Sequence, residues 1–377
     1  MAKKIFFFSL GFFVLVLIFL GAYNFAFKNN VNDPVADPNK KEFGKEEEAV
    51  ASPESITNPI NEIILGATAG EDGMLYYYSL DDQSLKKATL EGRDKTVLMS
   101  NLPGTASRIL WSPKKDKALL FLKQSSGGML WYSANIATKS LVPLKAEMSR
   151  LAWDNLGEKI FYQYTDPSSG KRSLNIANAD GSAWKKLADL GTKDSFLASV
   201  PQSSLVSFWA RPLAREKSPL ETVNTVGENR RTLSADFFGS DYSWAPNGEN
   251  VVISGSGMNG GAPSLHILPS TGGKSSDLSI PTLISKTAWS KDGRTLYCAL
   301  PGALPEGSVL PDDYFGKPLY TKDTFWKVDI VTGKKTRLIE LKENNQALDS
   351  SDLFLSPRED FLYFTDRVNK HLYSIEL

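Results

Sequence analysis

The chain has 377 residues with 43 basic and 43 acidic side chains, so its formal net charge is zero. Without a cationic excess there is nothing to hold a phosphate backbone, which excludes nucleic acid as the partner. One cysteine, Cys298, cannot form an internal disulfide, so a folded domain of this length depends on its apolar core.

The first element is an apolar run from Ile5 to Phe27, with no charge between Lys4 and Lys28. About 20 apolar residues cross a hydrocarbon core of ~30 Å as a helix, the one conformation that satisfies a lone segment's backbone polar groups there. Lys3 and Lys4 precede the run and Asp33, Asp37, Glu42, Glu46, Glu47 and Glu48 follow it. The positive-inside bias therefore predicts residues 1–4 as a cytoplasmic N-terminus, 5–27 as a transmembrane anchor helix in the lipid bilayer, and an extracytoplasmic C-terminal bulk. A cleaved signal peptide would have an apolar core of ~7–15 residues and a small-residue cleavage site, and Leu20-Gly21-Ala22 matches such a site poorly. Residues 28–62 are rich in Pro, Asn, Lys and Glu and read as a flexible linker, too poor in apolar surface to offset the entropy of ordering.

From Ile63 onward short apolar runs alternate with turn residues. A unit recurs: an apolar pair, tryptophan, Ser or Asp and often Pro, a polar turn, then an alternating apolar strand. Its copies include Ile109-Leu110-Trp111-Ser112-Pro113, Leu151-Ala152-Trp153-Asp154, Tyr242-Ser243-Trp244-Ala245-Pro246 and Thr287-Ala288-Trp289-Ser290. Ser199 and Leu355 occupy the tryptophan position in two further copies. Positions 111, 153, 199, 244, 289 and 355 are separated by 42, 46, 45, 45 and 66 residues. A step of ~40–45 residues is that of a four-stranded propeller blade, and the last step implies an insertion of about twenty residues. Strand, turn, strand at this cadence leaves no room for the helices of a parallel α/β sheet.

The Trp-Ser-Pro-x-Gly-x-x-Leu unit, followed by a Leu-Tyr-x-x-Asp-like third strand, resembles the TolB-like β-propeller repeats, relatives of WD-repeats in bacterial extracytoplasmic proteins. The resemblance covers residues 63–377 and implies an all-β β-propeller domain in which Trp111, Trp153, Trp244 and Trp289 are blade-core residues. The expected ring has about seven four-stranded blades, the first and last incomplete, sealed by N-terminal strands against the C-terminal unit; six blades is the alternative.

No constellation for chemistry emerges from the sequence. Gly255-Ser256-Gly257-Met258-Asn259-Gly260 has dinucleotide-loop spelling, but a strand rather than a helix follows it, so it reads as a hairpin loop. His266 and His371 are the two histidines, each expected on the third strand of a different blade, too few for a histidine metal site. No catalytic, cofactor or metal residues are predicted. The insertion Pro301 to Lys322 is the candidate partner-binding loop, with Asp312, Asp313, Tyr314 and Phe315 as exposed aromatics beside acids. The functional expectation is a membrane-tethered, non-catalytic module that binds a protein or a cell-envelope polymer. The alternatives are a propeller hydrolase or lyase with a channel site, and an accessory or sensory domain for a membrane partner.

Overall fold

The computed structural model describes residues 56–377 apart from 192–193, 259, 262, 303, 317–320 and 341–346. The expected anchor, 5–27, lies outside them, as does most of the linker. No helix among the described residues is long and apolar enough to cross a membrane.

The described strands form seven antiparallel sheets of four strands, each a blade. The innermost strands of blades 1 to 7 are Ile64–Ala69, Gly104–Trp111, Met148–Trp153, Ser195–Ser199, Phe238–Trp244, Thr287–Trp289 and Ser350–Leu355. Side-chain alternation explains why blades associate. Within Lys117–Gln124, Ala118, Leu120 and Leu122 pack against blade 1, whereas Leu119 packs against blade 3. Every blade is thus apolar on both faces, and seven clusters each join one blade to the next. The circle closes where Tyr363 and Leu372 of blade 7 meet Leu75 and Tyr77 of blade 1.

The motif tryptophans stitch each blade to the one before it. The indole Nε1 of Trp111 donates to the Gly66 carbonyl at 2.9 Å, that of Trp153 to Leu110 at 2.8 Å, and that of Trp244 to Ser207 Oγ at 2.9 Å. Each such bond contributes about 1 kcal/mol, less than burial of a single leucine side chain at ~1.5–3 kcal/mol. The apolar clusters hold the ring, and the indole bonds fix how far each blade inserts beside its neighbour. The residue after the tryptophan shapes the following hairpin: Ser112 Oγ donates to Asp116 and accepts the Lys117 N–H, as Ser290 does with Asp292 and Thr295. Gly248, at φ +72°, completes the blade 5 hairpin; a Cβ there would stand 2.4 Å from the Pro201 carbonyl oxygen of blade 4.

Two expectations about the ends of the ring need correction. Blade 1 is complete, with Ala69 where blades 2, 3, 5 and 6 carry tryptophan. Blade 7 takes its fourth strand from Thr57–Ile60, a segment that the sequence reading assigned to the linker. Asn58-Pro59 looks like a turn, but an edge strand tolerates proline because one side of its backbone needs no partner. Ile60 is fully buried and Thr57 pairs with Ser374.

Glu62 anchors the turn between this closing strand and blade 1. Its carboxylate accepts hydrogen bonds from Lys86 Nζ at 2.9 Å, Lys95 Nζ at 2.8 Å and Tyr77 Oη at 3.3 Å. Burial works against its ionisation, but the two lysines outweigh burial and hold its pKa down to about 2. A carboxylate with a depressed folded pKa stabilises fully above its unfolded value near 4.5 and loses that contribution as pH falls toward 2. Glu62→Gln is therefore expected to lower stability at pH 7 by about 2 kcal/mol. In chemical unfolding from pH 7 to 2, the gap from the parent protein should narrow below about pH 4.5; a gap independent of pH would contradict this role.

Candidate functional site: the central channel

Each innermost strand runs toward its motif position, so the hairpins after the tryptophans gather at one end of the ring. A cavity of about 770 Å³ opens there, lined by the inner strands and hairpins of blades 1 to 4 and by Trp244, Pro246 and Asp352. The residue three before each motif position has an unexpected pattern. It is Gly66, Arg108, Arg150, Phe196, Asp241, Lys286 and Asp352 in blades 1 to 7, so five of the seven are charged. These charges differ in their access to water: Lys286, in the 3-10 turn just before its strand, is fully buried, whereas Arg108 and Asp352 are exposed.

Arg150 lies in a β-bulge at φ +52° and clamps Asp194 of blade 4 through Nε and Nη2, with its guanidinium 5.0 Å above the Phe196 ring. Asp241 accepts the Trp209 indole N–H at 2.9 Å and the Tyr242 backbone N–H at 3.0 Å, yet burial still pushes its pKa up to about 6. Lys286 is 0% exposed and donates to Asp323 Oδ2 at 2.5 Å, Asp349 Oδ1 at 2.9 Å and the Ser350 carbonyl at 2.8 Å. Burial disfavours its charge, but Asp323, Tyr314 and Asp349 more than compensate, and its pKa is raised.

Arg108 and Asp352 are different, because both face the open cavity. Arg108 makes no hydrogen bond or ion pair among the described residues. Its pKa is lowered, first by burial and then by Arg150, against the pull of Asp352 and Asp194. Burial raises the pKa of Asp352. Lys115, in the blade 2 hairpin, lines the same cavity; burial brings its pKa down to about 8 despite Glu71 and Asp72, and its Nζ donates to Thr68 Oγ1 at 3.3 Å. The remaining acid of the lining, Asp154, is engaged by its own turn, accepting the N–H groups of Glu158 and Lys159 at 2.8 and 3.0 Å.

The predicted partner loop sits at the other end. It joins the second and third strands of blade 6, Thr295–Leu300 and Thr324–Asp329, and contains the short helix Asp312–Gly316. Asp312 accepts the Ala214 N–H of blade 4 at 2.9 Å, Leu310 N–H donates to the Gly260 carbonyl of blade 5 at 3.2 Å, and Asp313 caps the Val309 N–H at 2.7 Å. Tyr314 was expected to be exposed but is 2% exposed, because its ring is held 3.7 Å below the Arg367 guanidinium and 5.2 Å from Lys286 Nζ. Phe315, 37% exposed, is the aromatic of the four candidates that reaches the surface. The loop therefore crosses the rim from blade 4 to blade 7.

The glycine-rich segment is a hairpin loop of blade 5 as expected: Gly260, at φ +67°, packs against Ala214 and Val309. His266 stacks on Phe237 at 4.3 Å, and His371 Nδ1 lies 3.0 Å from the Glu62 carbonyl oxygen, both away from the innermost strands. Cys298 is buried, and burial pushes its thiol up to about 12. No group of three His, Cys, Asp or Glu side chains among the described residues is placed to hold a metal. Sequence reasoning missed the ring of charged positions, although counting three residues back from each tryptophan reveals it.

Replacing Lys286 with methionine would leave Asp323 and Asp349 buried without their shared cation. Loss of one partner of a buried ion pair costs about 3–5 kcal/mol. Lys286→Met should lower the thermal midpoint sharply; an unchanged midpoint would show that the network does not hold the loop and blades 6 and 7 together.

No protein-family model matches the chain, and no curated protein matches it. Solved structures do. The chain is similar to an oligogalacturonate lyase in complex with manganese, at 14% identity over 88% of this chain and 96% of that one, with a TM-score of 0.62. It is also similar to the β-propeller domain of Cps50 (Swd1) from Myceliophteria thermophila, at 8% identity over 86% and 100% of the two chains, with a TM-score of 0.57. TolB from Acinetobacter baumannii aligns at 9% identity over 85% and 65%, with a TM-score of 0.47. The lyase and the Swd1 domain share with this seven-bladed ring the fold alone.

Proposed function

We propose that the chain is a membrane-tethered, extracytoplasmic propeller that acts as a non-catalytic binding module, with its ligand received at the hairpin end of the channel. The observation that carries this reading is the division of labour among the channel charges. Arg150, Asp241 and Lys286 are consumed by structural partners, whereas Arg108 stays uncommitted beside an open cavity. Both histidines lie off the innermost strands, so the cavity offers Arg108, Lys115, Asp352 and indole surface without an imidazole. The tether rests on the apolar run Ile5 to Phe27 and the lysines before it. Phe315, on the insertion, is the second surface proposed for contact with a protein or envelope component.

A lyase or hydrolase working in the channel is the alternative, supported by the lyase neighbour at the level of fold. That neighbour is in complex with manganese; among the described residues of this chain no group of three His, Cys, Asp or Glu side chains is placed to hold a metal.

Proximity labelling from a tag at the C-terminus of the full chain in living cells tests the reading. Labelled proteins should come from outside the cytoplasm, and replacing Phe315 with serine should thin the labelled set without lowering the thermal midpoint. Predominantly cytoplasmic labelling would overturn both the tether and the placement of the propeller.

A further inference from the structure

Two arginines of this ring stand at the same count from their tryptophans and have opposite fates. Arg150, turned by its left-handed bulge, spends its planar fork on the Asp194 carboxylate. Arg108, whose strand bulges without a positive φ, keeps its guanidinium in the cavity with no partner among the described residues. Arg108 is open to solvent through the cavity, so the donors of its guanidinium are available to a bound anion. Its fork geometry matches a carboxylate in two parallel hydrogen bonds, the arrangement that Arg150 already makes within this protein.

The surroundings narrow the ligand further. Asp352 faces the same cavity and attracts Arg108 electrostatically, yet the two are not within ion-pair distance. A ligand with one negative charge on Arg108 and a hydroxyl or ammonium donor toward Asp352 satisfies both. A dianion such as phosphate would meet the Asp352 charge instead. Lys115, in the hairpin after Trp111, lines the same cavity and adds a cation that draws anions inward.

We propose that the hairpin-end cavity is a carboxylate site, with Arg108 as its anchor and Asp352 as acceptor for a hydroxyl or ammonium group of the same small ligand. This inference rests on the binding-module reading and specifies the chemistry of its channel.

Equilibrium dialysis of the full chain in detergent with D-gluconate, sorbitol and inorganic phosphate is the test. Gluconate should bind saturably, while sorbitol, which lacks the carboxylate, should not bind, and phosphate should bind about tenfold more weakly than gluconate. Arg108→Gln should raise the gluconate Kd by about tenfold or more, and Asp352→Asn by a smaller factor. Should Arg108→Gln fail to fold, Arg108→Lys retains the charge without the fork and should still weaken gluconate severalfold. No saturable gluconate binding, an unchanged Kd in the folded arginine variant, or tighter binding of phosphate would overturn the proposal. Extracytoplasmic labelling that persists alongside such a result would leave the binding module standing and remove the carboxylate site alone.

Discussion

The two-faced blade is the constraint on which the rest of this molecule depends. Because side chains alternate along every strand, a sheet with apolar residues on both faces must be covered twice, and a circle is the arrangement in which each blade covers its neighbours. The closing strand Thr57–Ile60 then has a defined task, since it gives blade 7 its fourth strand and covalently joins the last blade to the first. Closure also creates the channel, where the innermost strands meet with little material to fill the axis.

Charged residues on or just before those strands differ in how far closure leaves them from water. Lys286 is driven into a fully protein-satisfied network, and that network fastens the blade 6 insertion through Tyr314 and Arg367. The insertion is in this sense a structural rim over blades 4 to 7 that presents Phe315 outward. Elsewhere in the channel the lining remains open and carries Arg108, Lys115 and Asp352.

The repeat was legible in the sequence because a local grammar writes it. Trp-Ser-Pro followed by an alternating strand specifies a hairpin and an inter-blade indole bond within a dozen residues, and both appear where the spelling occurs, as at Trp111 and Ser112. The first blade was harder to see because Ala69 replaces the tryptophan, and the closing strand because Asn58-Pro59 imitates a turn. Tyr314 was misjudged because its burial arises from Lys286 and Arg367, which are distant in sequence. Arg108 and Arg150 occupy equivalent positions in the repeat; a bulge and the location of Asp194 set them apart, and neither is written locally.

Ring closure by the N-terminal strand is the central claim, and a cross-link tests it most directly. Thr57 Oγ1 and Ser374 Oγ lie 2.8 Å apart on paired strands, although 317 residues separate them. With both replaced by cysteine in the full chain, the buried Cys298 remaining out of reach, mild oxidation should give an intramolecular disulfide that raises the thermal midpoint and alters migration on a non-reducing gel. Cross-linking only between molecules, or none while the protein stays folded, would contradict the closed ring and the channel derived from it.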